Sequence, residues 1–201
     1  MVPTPIAVST IAAQAFRLME LAPISSFADD SPQASDAAEQ YPLALRLCLE
    51  LMDWSFARQL VTLPPAEPEG GFVSDPELPH TYRLPGDCFA LRLVLPTDAR
   101  WRRDADYLRA DQAGGLTIRY TRAITDETKL PAAFQDAVSL ALAVRLAPRW
   151  VASRTKRETL QQHWREAVEL ARAAEAITGS RLTLDGLDMS LGADWAREAL
   201  L

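Results

Sequence analysis

Apolar residues recur at helical spacing in four stretches of the chain, and these stretches predict four helices. The first is expected at about 5–21, where a capping threonine precedes a proline, although Ser9 or Thr10 would allow a start one turn later. The other three helices are expected at about 32–53, 131–147 and 156–177.

Prolines and capping residues set the expected limits of these helices. Pro42 falls inside the second pattern and should bend that helix, because a proline has no backbone N–H to donate. The third pattern is apolar on nearly all sides, which indicates the central helix of the core, and Pro148 is expected to end it. Thr155 and Glu158 form a predicted capping box at the start of the fourth helix. The inward face of this helix is expected to carry Leu160, Trp164, Ala167, Val168, Ala171 and Ala174.

Between the second and third helices the apolar period changes to two, so 55–122 is read as a β region interrupted by a loop at 64–81. Residues 107–110 and 116–122 flank a glycine-containing loop and are expected to pair as a hairpin. A further strand should present one apolar face made of Phe89, Leu91, Leu93 and Leu95. The predicted fold class is α+β, a mainly helical body with a small antiparallel sheet and an extended C-terminal arm.

The C-terminal segment, 180–201, is too short to bury its own apolar residues. We therefore divide the chain into a body, 1–179, and an arm, 180–201. The sequence leaves open whether the arm folds back on the body or docks on a partner. Its apolar residues are Leu182, Leu184, Leu187, Met189, Leu191, Trp195, Leu200 and Leu201.

The chain is mildly acidic, with a formal net charge of −6 and a pI near 5.0. This balance argues against a protein that grips nucleic acid mainly through its phosphates. Two cysteines are too few for a disulfide framework, and we expect Cys48 and Cys88 to be buried free thiols. The N-terminus has no signal-peptide pattern, and no apolar run is long enough to span a membrane.

Catalytic chemistry has little support in the sequence, so we expect no enzyme activity, no catalytic residue, no cofactor and no metal. The four candidate zinc ligands lie in four different elements at spacings unlike those of known zinc sites. Acidic residues are scattered, and neither glycine pair resembles a phosphate-binding loop. The four candidate ligands are Cys48, His80, Cys88 and His163.

Two basic stretches are candidate contact surfaces. Arg100, Trp101, Arg102 and Arg103 combine cations with an aromatic ring, which suits DNA. We favour instead a loop in which Trp101 packs at a sheet edge and the arginines pair with acidic neighbours, namely Asp98, Asp104 and Asp106. The second stretch gathers charge where helices three and four meet, as a solvated corner or as a docking surface for an acidic partner. It consists of Arg145, Arg149, Arg154, Lys156 and Arg157.

The order of motifs resembles the head-to-tail adaptor proteins of tailed bacteriophages, of the tail tubular protein A, gatekeeper or connector type. The stretch "LAPISSFADDSP", a long helix and then "WSFAR" match the first half of that pattern. "YRLPGDCFALRLV" and "LTIRYTRAITDETKLPAAFQDAVSLALAVRLA" match its strand entry and its hairpin, acidic turn and long helix. The first-half positions are Pro23, Ile24, Ser25, Ser26, Phe27, Trp54, Phe56, Ala57 and Arg58.

The resemblance covers about 10–63 and 82–176. It implies a structural virion protein, a subunit of a dodecameric ring between the portal and the tail nozzle or next neck protein. DNA would pass through the channel without specific binding, and the protein would be made in the host cytoplasm and reside in the virion neck. Members of the family dock on the portal partly through their C-terminal segment. We therefore expect docking through the basic residues Arg145, Arg149, Arg154, Lys156 and Arg157, and through arm residues Leu182, Leu184, Leu187, Met189, Leu191 and Trp195.

Overall fold

Four α-helices and two three-stranded antiparallel sheets make up the computed structural model, which describes residues 9–67 and 75–178. The predicted α+β class is confirmed. Any helix before Ser9, part of the 64–81 loop, and the arm lie outside the described residues. The helices are α1 (Thr10–Leu18), α2 (Pro32–Glu50), α3 (Ala132–Trp150) and α4 (Arg154–Thr178). The strands are β1 (Arg58–Leu63), β2 (His80–Arg83), β3 (Cys88–Leu95), β4 (Trp101–Asp104), β5 (Tyr107–Ala110) and β6 (Leu116–Arg122).

Local capping sets both ends of α1. The Ser9 side chain accepts a hydrogen bond from the backbone N–H of Ala12, so the helix starts at the later of the two expected positions. At the other end, Glu20 takes a left-handed conformation with φ of 61°. The backbone N–H of Leu21 then donates to the carbonyl of Phe16 at 2.9 Å, which closes the helix at Leu18 and not near 21.

The two internal prolines leave both helices continuous. Pro42 lies within α2, which ends at Glu50, three residues before the expected limit. The expectation that Pro148 ends α3 is wrong, because the helix runs on to Trp150. A proline in the last turn removes a single hydrogen bond, and the next turn still closes through the N–H of Val151 and the carbonyl of Ala147 at 2.9 Å.

The start of α4 also differs from the prediction. Ser153 caps this helix, since its hydroxyl accepts a hydrogen bond from the backbone N–H of Lys156 at 3.3 Å. Thr155 therefore lies inside the first turn and is not the cap. The inward face of α4 follows the predicted spacing. Its residues Leu160, Ala167, Val168 and Ala171 are buried, and Trp164 and Ala174 are half-buried.

The predicted hairpin between 107–110 and 116–122 is wrong. One sheet has the order β1-β6-β3 and the other has the order β2-β5-β4, so β5 and β6 belong to different sheets. The linker 111–115 carries the chain from one sheet to the other, with Gly114 at φ of 93°. The Tyr82 hydroxyl donates to the Gln112 carbonyl at 2.6 Å and fixes this crossing. The tight turn that does form joins β4 to β5 and places Ala105 at φ of 54°.

The single apolar face expected for β3 is also wrong, because the strand shifts register against β6 at two points. One shift lies between Cys88 and Ala90 and the other between Leu91 and Leu93. Each bulge reverses the side from which the following residues project. As a result Phe89 packs against the helical core, whereas Leu91 packs against the sheet core.

Buried residues form two clusters, one among the helices and one between the sheets. In the helical cluster α3 packs against α1, α2 and α4, which confirms it as the central helix. An aromatic group of Trp54, Phe56 and Phe134 lies at one end of this cluster, with ring centroids 4.9 to 5.9 Å apart. Across the described ranges, none of the helices combines the length and the apolar character that a membrane span requires.

Candidate docking surfaces

The junction of α3 and α4 brings five cationic residues to one end of the helical layer. We call this set the basic corner. The end of α3 supplies two of them and the first turn of α4 supplies three, with 151–153 between them. The basic corner comprises Arg145, Arg149, Arg154, Lys156 and Arg157.

The two arginines of α3 are tied to α2. The Arg149 guanidinium forms an ion pair with Asp36 and lies 5.2 Å from the Trp150 ring centroid. The Trp150 indole N–H donates to the other Asp36 oxygen at 2.9 Å, so one carboxylate holds both side chains. Arg145 donates from its Nε to the Gln40 side-chain oxygen at 3.0 Å. These arginines therefore fasten α3 to α2, a role that sequence reasoning missed.

Lys156 has a structural role at the end of α1. Its ammonium donates to the Met19 carbonyl at 2.9 Å and pairs with the Glu20 carboxylate at 2.7 Å. A cation at the C-terminal end of a helix is favourable, because the unpaired carbonyls there carry partial negative charge. With its side chain 24% exposed, Lys156 joins the start of α4 to the end of α1.

Arg154 and Arg157 remain available for contact at the basic corner. Arg154 pairs with Glu158 one turn later, yet 86% of its side chain stays exposed. In the described part of the chain the Arg157 guanidinium has no ion-pair partner. Both lie in the first turn of α4, where the helix dipole disfavours positive charge. The interaction with the helix dipole therefore does not explain why arginines occupy this turn.

A surface groove of about 330 Å³ lies beside these two arginines. Its apolar lining comes from Val144, Ala147 and Pro148 of α3, and its charged rim includes Arg154 and Arg157. Glu158 also lines the groove and pairs with Arg154, which leaves Arg157 as the unpaired cation of the groove among the described residues. Aliphatic surface beside this positive charge suits an apolar segment that carries carboxylates.

Three residues of the basic-aromatic stretch at 100–103 lie in the edge strand β4 and not in a loop, and Arg100 directly precedes the strand. Its charges are largely matched by acids. Arg102 pairs with Asp104 at 2.9 Å and with Asp75 at 3.1 Å, and Arg100 pairs with Asp111 at 3.1 Å. Pairing with Asp104 is thus confirmed, while Asp75 and Asp111 take the positions expected of Asp98 and Asp106.

The same pairs change the titration of the carboxylates. The hydrogen bond from Arg102 holds the pKa of Asp104 below its usual range, and the Arg100 side chain does the same for the pKa of Asp111. Trp101 is 45% exposed at the sheet edge. Acids that neutralise these arginines weaken their attraction for phosphates, so the geometry favours a folded edge over a DNA contact.

A buried polar cluster between α1 and α2 escaped sequence reasoning. The Ser9 hydroxyl donates to a Glu127 carboxylate oxygen at 2.6 Å. Burial, together with the negative charge of the nearby Glu127 carboxylate, raises the pKa of the Tyr41 hydroxyl. The acidic turn before α3 could have suggested a cap, but nothing local links it to Ser9, which lies more than a hundred positions earlier.

The two cysteines differ in accessibility. Cys48 is buried in α2 as expected, and burial raises the pKa of its thiol to about 12. Cys88 is half-buried on β3 and is less enclosed than expected. The four residues considered as zinc ligands stay in separate elements, and residues 9–67 and 75–178 contain no group of three or more side chains placed to hold a metal.

The remaining docking residues fall outside the described residues. These are Leu182, Leu184, Leu187, Met189, Leu191 and Trp195 of the arm. A scan against models of known protein families gives no match, and a search of curated proteins likewise finds no similar sequence. The likeness to phage adaptors therefore depends on the order and spacing of motifs along this chain.

Proposed function

We propose that the protein is a structural subunit of the head-to-tail junction of a tailed-phage particle. Twelve copies would form a ring between the portal and the next neck or tail component, and the ring would leave a channel for DNA. The proposal has two supports, the motif order quoted above and an exposed basic surface that the fold does not require for its own stability.

The observation that carries the docking surface is the first turn of α4. Arg154 is exposed and Arg157 is half-buried in a turn where the helix dipole disfavours positive charge, and a groove with an apolar side lies directly beside them. Charge held against local energetics is typical of binding surfaces, because complementary charge on a partner orients and accelerates association. We assign these two residues and the groove to portal contact.

The rest of the basic corner has a supporting part in this proposal. Arg145, Arg149 and Lys156 hold α1, α2 and α4 around α3 through the contacts described above. Their substitution would loosen the body, whereas substitution of Arg154 or Arg157 would change docking alone. Of the five residues of the basic corner, only Arg154 and Arg157 therefore need to be substituted to test docking.

The decisive experiment mixes the full chain with the portal protein encoded in the same genome and measures complex mass by mass photometry. The wild-type protein should add a ring of subunits to the portal. The double variant Arg154→Gln/Arg157→Gln should lose most of this binding, about a hundredfold if each charge contributes at the scale of interfacial pairs. Its thermal unfolding should be unchanged.

The matched control removes two other exposed arginines, as Arg17→Gln/Arg165→Gln, and should bind like wild type. Equal binding by both double variants would show that the basic corner does not dock. Failure of the wild-type chain to bind the portal, or a genome that encodes no portal, would overturn the proposed function itself.

A further inference from the structure

An exposed apolar stripe runs along the C-terminal half of α4, beside its inward face. Leu170 is 68% exposed and Ile177 is 86% exposed, the two highest values among large apolar side chains in the described residues. They lie seven residues apart, two helical turns on one face, and Ala173 and Ala174 lie between them. Ala173 is exposed and Ala174 is half-buried, so together they continue the stripe.

The stripe continues into a groove of about 310 Å³ between α1 and α4. The apolar part of its lining comes from all three helices, and the polar part includes Gln14, Asp136, His163 and Glu166. The apolar lining residues are Leu18 of α1, Ala133 and Leu140 of α3, and Ala167 and Leu170 of α4. Because α1 and α4 both pack on α3, they leave a channel between them that is open to solvent. The groove and the stripe share Leu170 and together form one partly apolar surface along α4, from His163 to Ile177.

We propose that residues 182–195 of the same molecule cover this surface in the free protein, so that the arm lies back along α4. The described chain stops at Thr178, one residue after the end of the stripe. The segment that follows is therefore attached where the uncovered surface ends. A tethered segment has an effective concentration in the millimolar range, which a second copy does not reach in dilute solution.

Length and composition suit this occupant. The surface from Ile177 to His163 spans about 21 Å of helix, at 1.5 Å per residue. Residues 182–195 extend about 20 Å as a helix and over 40 Å as an extended chain, so either form covers it. The segment carries Leu182, Leu184, Leu187, Met189, Leu191 and Trp195, which cannot form a core by themselves.

The inference concerns the isolated chain and does not depend on the proposed function. Where both hold, the arm would have two alternative sites, α4 before assembly and the portal after it. Release of the arm would then uncover Leu170 and Ile177 only on the portal, which would restrict self-association to that place.

Photocrosslinking of the full-length protein tests the proposal. Benzoylphenylalanine in place of Leu170 should crosslink to residues 182–195, at a yield at least about fivefold above the same probe in place of Leu43. Leu43 is the matched control, since it is an exposed leucine on α2, 45% exposed. A mixture of ¹⁴N- and ¹⁵N-labelled chains distinguishes the two origins of a crosslink, and the expected crosslinks join residues of one label.

Three outcomes would overturn the inference. Crosslinks between differently labelled chains would show that a second copy covers the stripe. Crosslinks from position 170 only to residues outside the arm, or equal yields at both probe positions, would show that the arm lies elsewhere.

A second measurement avoids the probe. Leu170→Glu should speed trypsin cleavage after Arg197 about tenfold in the full chain, because cleavage follows the fraction of molecules with the arm released. Leu43→Glu should leave the rate unchanged, and an unchanged rate in Leu170→Glu would contradict the proposal. Both substitutions replace exposed side chains, so both variants should fold.

Discussion

The helical and sheet parts of the molecule are held together by different interactions. Around α3 the buried set is large and almost wholly apolar, and it draws on all four helices. The sheet core is much smaller, with nine buried residues, and its second sheet is flanked by arginine–carboxylate pairs. Since apolar burial stabilises more than exposed ion pairs do, the helical part should dominate the free energy of unfolding.

The Arg92 side chain makes several of the hydrogen bonds between the two parts. The β3 bulge lets Arg92 project toward the helices, where its guanidinium donates to the carbonyls of Leu49, Glu50 and Met52. Its Nε donates to the hydroxyl of Thr121 on β6 at 2.8 Å. Arg92 thereby satisfies unpaired carbonyls at the end of α2 and anchors the central strand of one sheet.

The largest effect is expected from truncation in the helical core. Phe134 is 1% exposed and lies 5.0 Å from the Trp54 ring centroid. Phe134→Ala should lower the free energy of unfolding by about 3–5 kcal/mol, because it leaves a cavity at the aromatic group. Urea denaturation followed by circular dichroism measures the loss. The control, Leu91→Ala, truncates a half-buried side chain of β3 that packs against the sheet core. It should cost clearly less, and equal losses would contradict the ranking of the two parts.

Loss of the Arg92 hydrogen bonds should have the next largest effect on stability. Arg92→Leu leaves the carbonyls at the end of α2 without their donor and should cost about 2–3 kcal/mol, the scale of hydrogen bonds to a charged group. Arg154→Leu is the matched control, since the Arg154 side chain is 86% exposed and pairs with Glu158 one turn later, and it should cost under about 0.5 kcal/mol. A difference too small to resolve in urea would show that the sheets do not depend on Arg92.

Within the basic corner, Lys156 should contribute more to the free energy of unfolding than Arg154 does. Lys156→Met keeps the aliphatic stem but removes the contacts to Met19 and Glu20, and should lower stability by about 1 kcal/mol. Arg154→Met, two residues earlier in the same turn, should change stability by under about 0.5 kcal/mol. Thermal unfolding of both variants compares them directly. A larger loss in Arg154→Met would reverse the assignment.

The smallest effect concerns pH and the β4–β5 hairpin. The arginine contacts hold the pKa values of Asp104 and Asp111 below the unfolded value, so these pairs stabilise the β4–β5 hairpin at its two ends above pH of about 4. That contribution is lost as the pH falls through the folded pKa values. The hydrogen-exchange rates of the β4 and β5 backbone amides, corrected for intrinsic rates, should rise less than about threefold below pH 4. The expected rise is small because exposed ion pairs contribute little to stability.

The control for this prediction is Asp104→Asn, which should show a smaller change with pH in the same amides. Protection of α3 amides should stay constant over the pH range in which the hairpin first responds. A rise that is identical in wild type and variant would mean that other groups cause the change.

The main helices could be predicted from the sequence because their signals are local. Apolar spacing located α2, α3 and α4 to within a few residues, and it placed Leu160 and Val168 on the inward face. Errors arose at the ends, where competing signals lie close together. Ser153 and Thr155 are both residue types that cap helices, and the sequence does not show which of them caps α4. In the structure Ser153 accepts the hydrogen bond from the backbone N–H of Lys156, and the Lys156 side chain contacts the end of α1.

Strand pairing could not be read in the same way. The glycines at 114–115 have the character of a hairpin turn, yet the chain uses them to pass between sheets. Pairing depends on which strands have apolar faces to share, and those strands are distant in sequence, as β1 and β6 are. The two bulges of β3 add to the difficulty, because they change the buried side within a single strand.

The sequence by itself determined the α+β class, the central place of α3 and the basic charge between α3 and α4, since periodicity and composition depend on neighbouring residues. Only the tertiary structure decided which of those charges are available to a partner. The acids that neutralise Arg149 and Lys156 lie on α2 and just after α1, more than a hundred positions earlier. A charge is satisfied by what lies near it in space, so its role becomes visible only when distant elements are packed together.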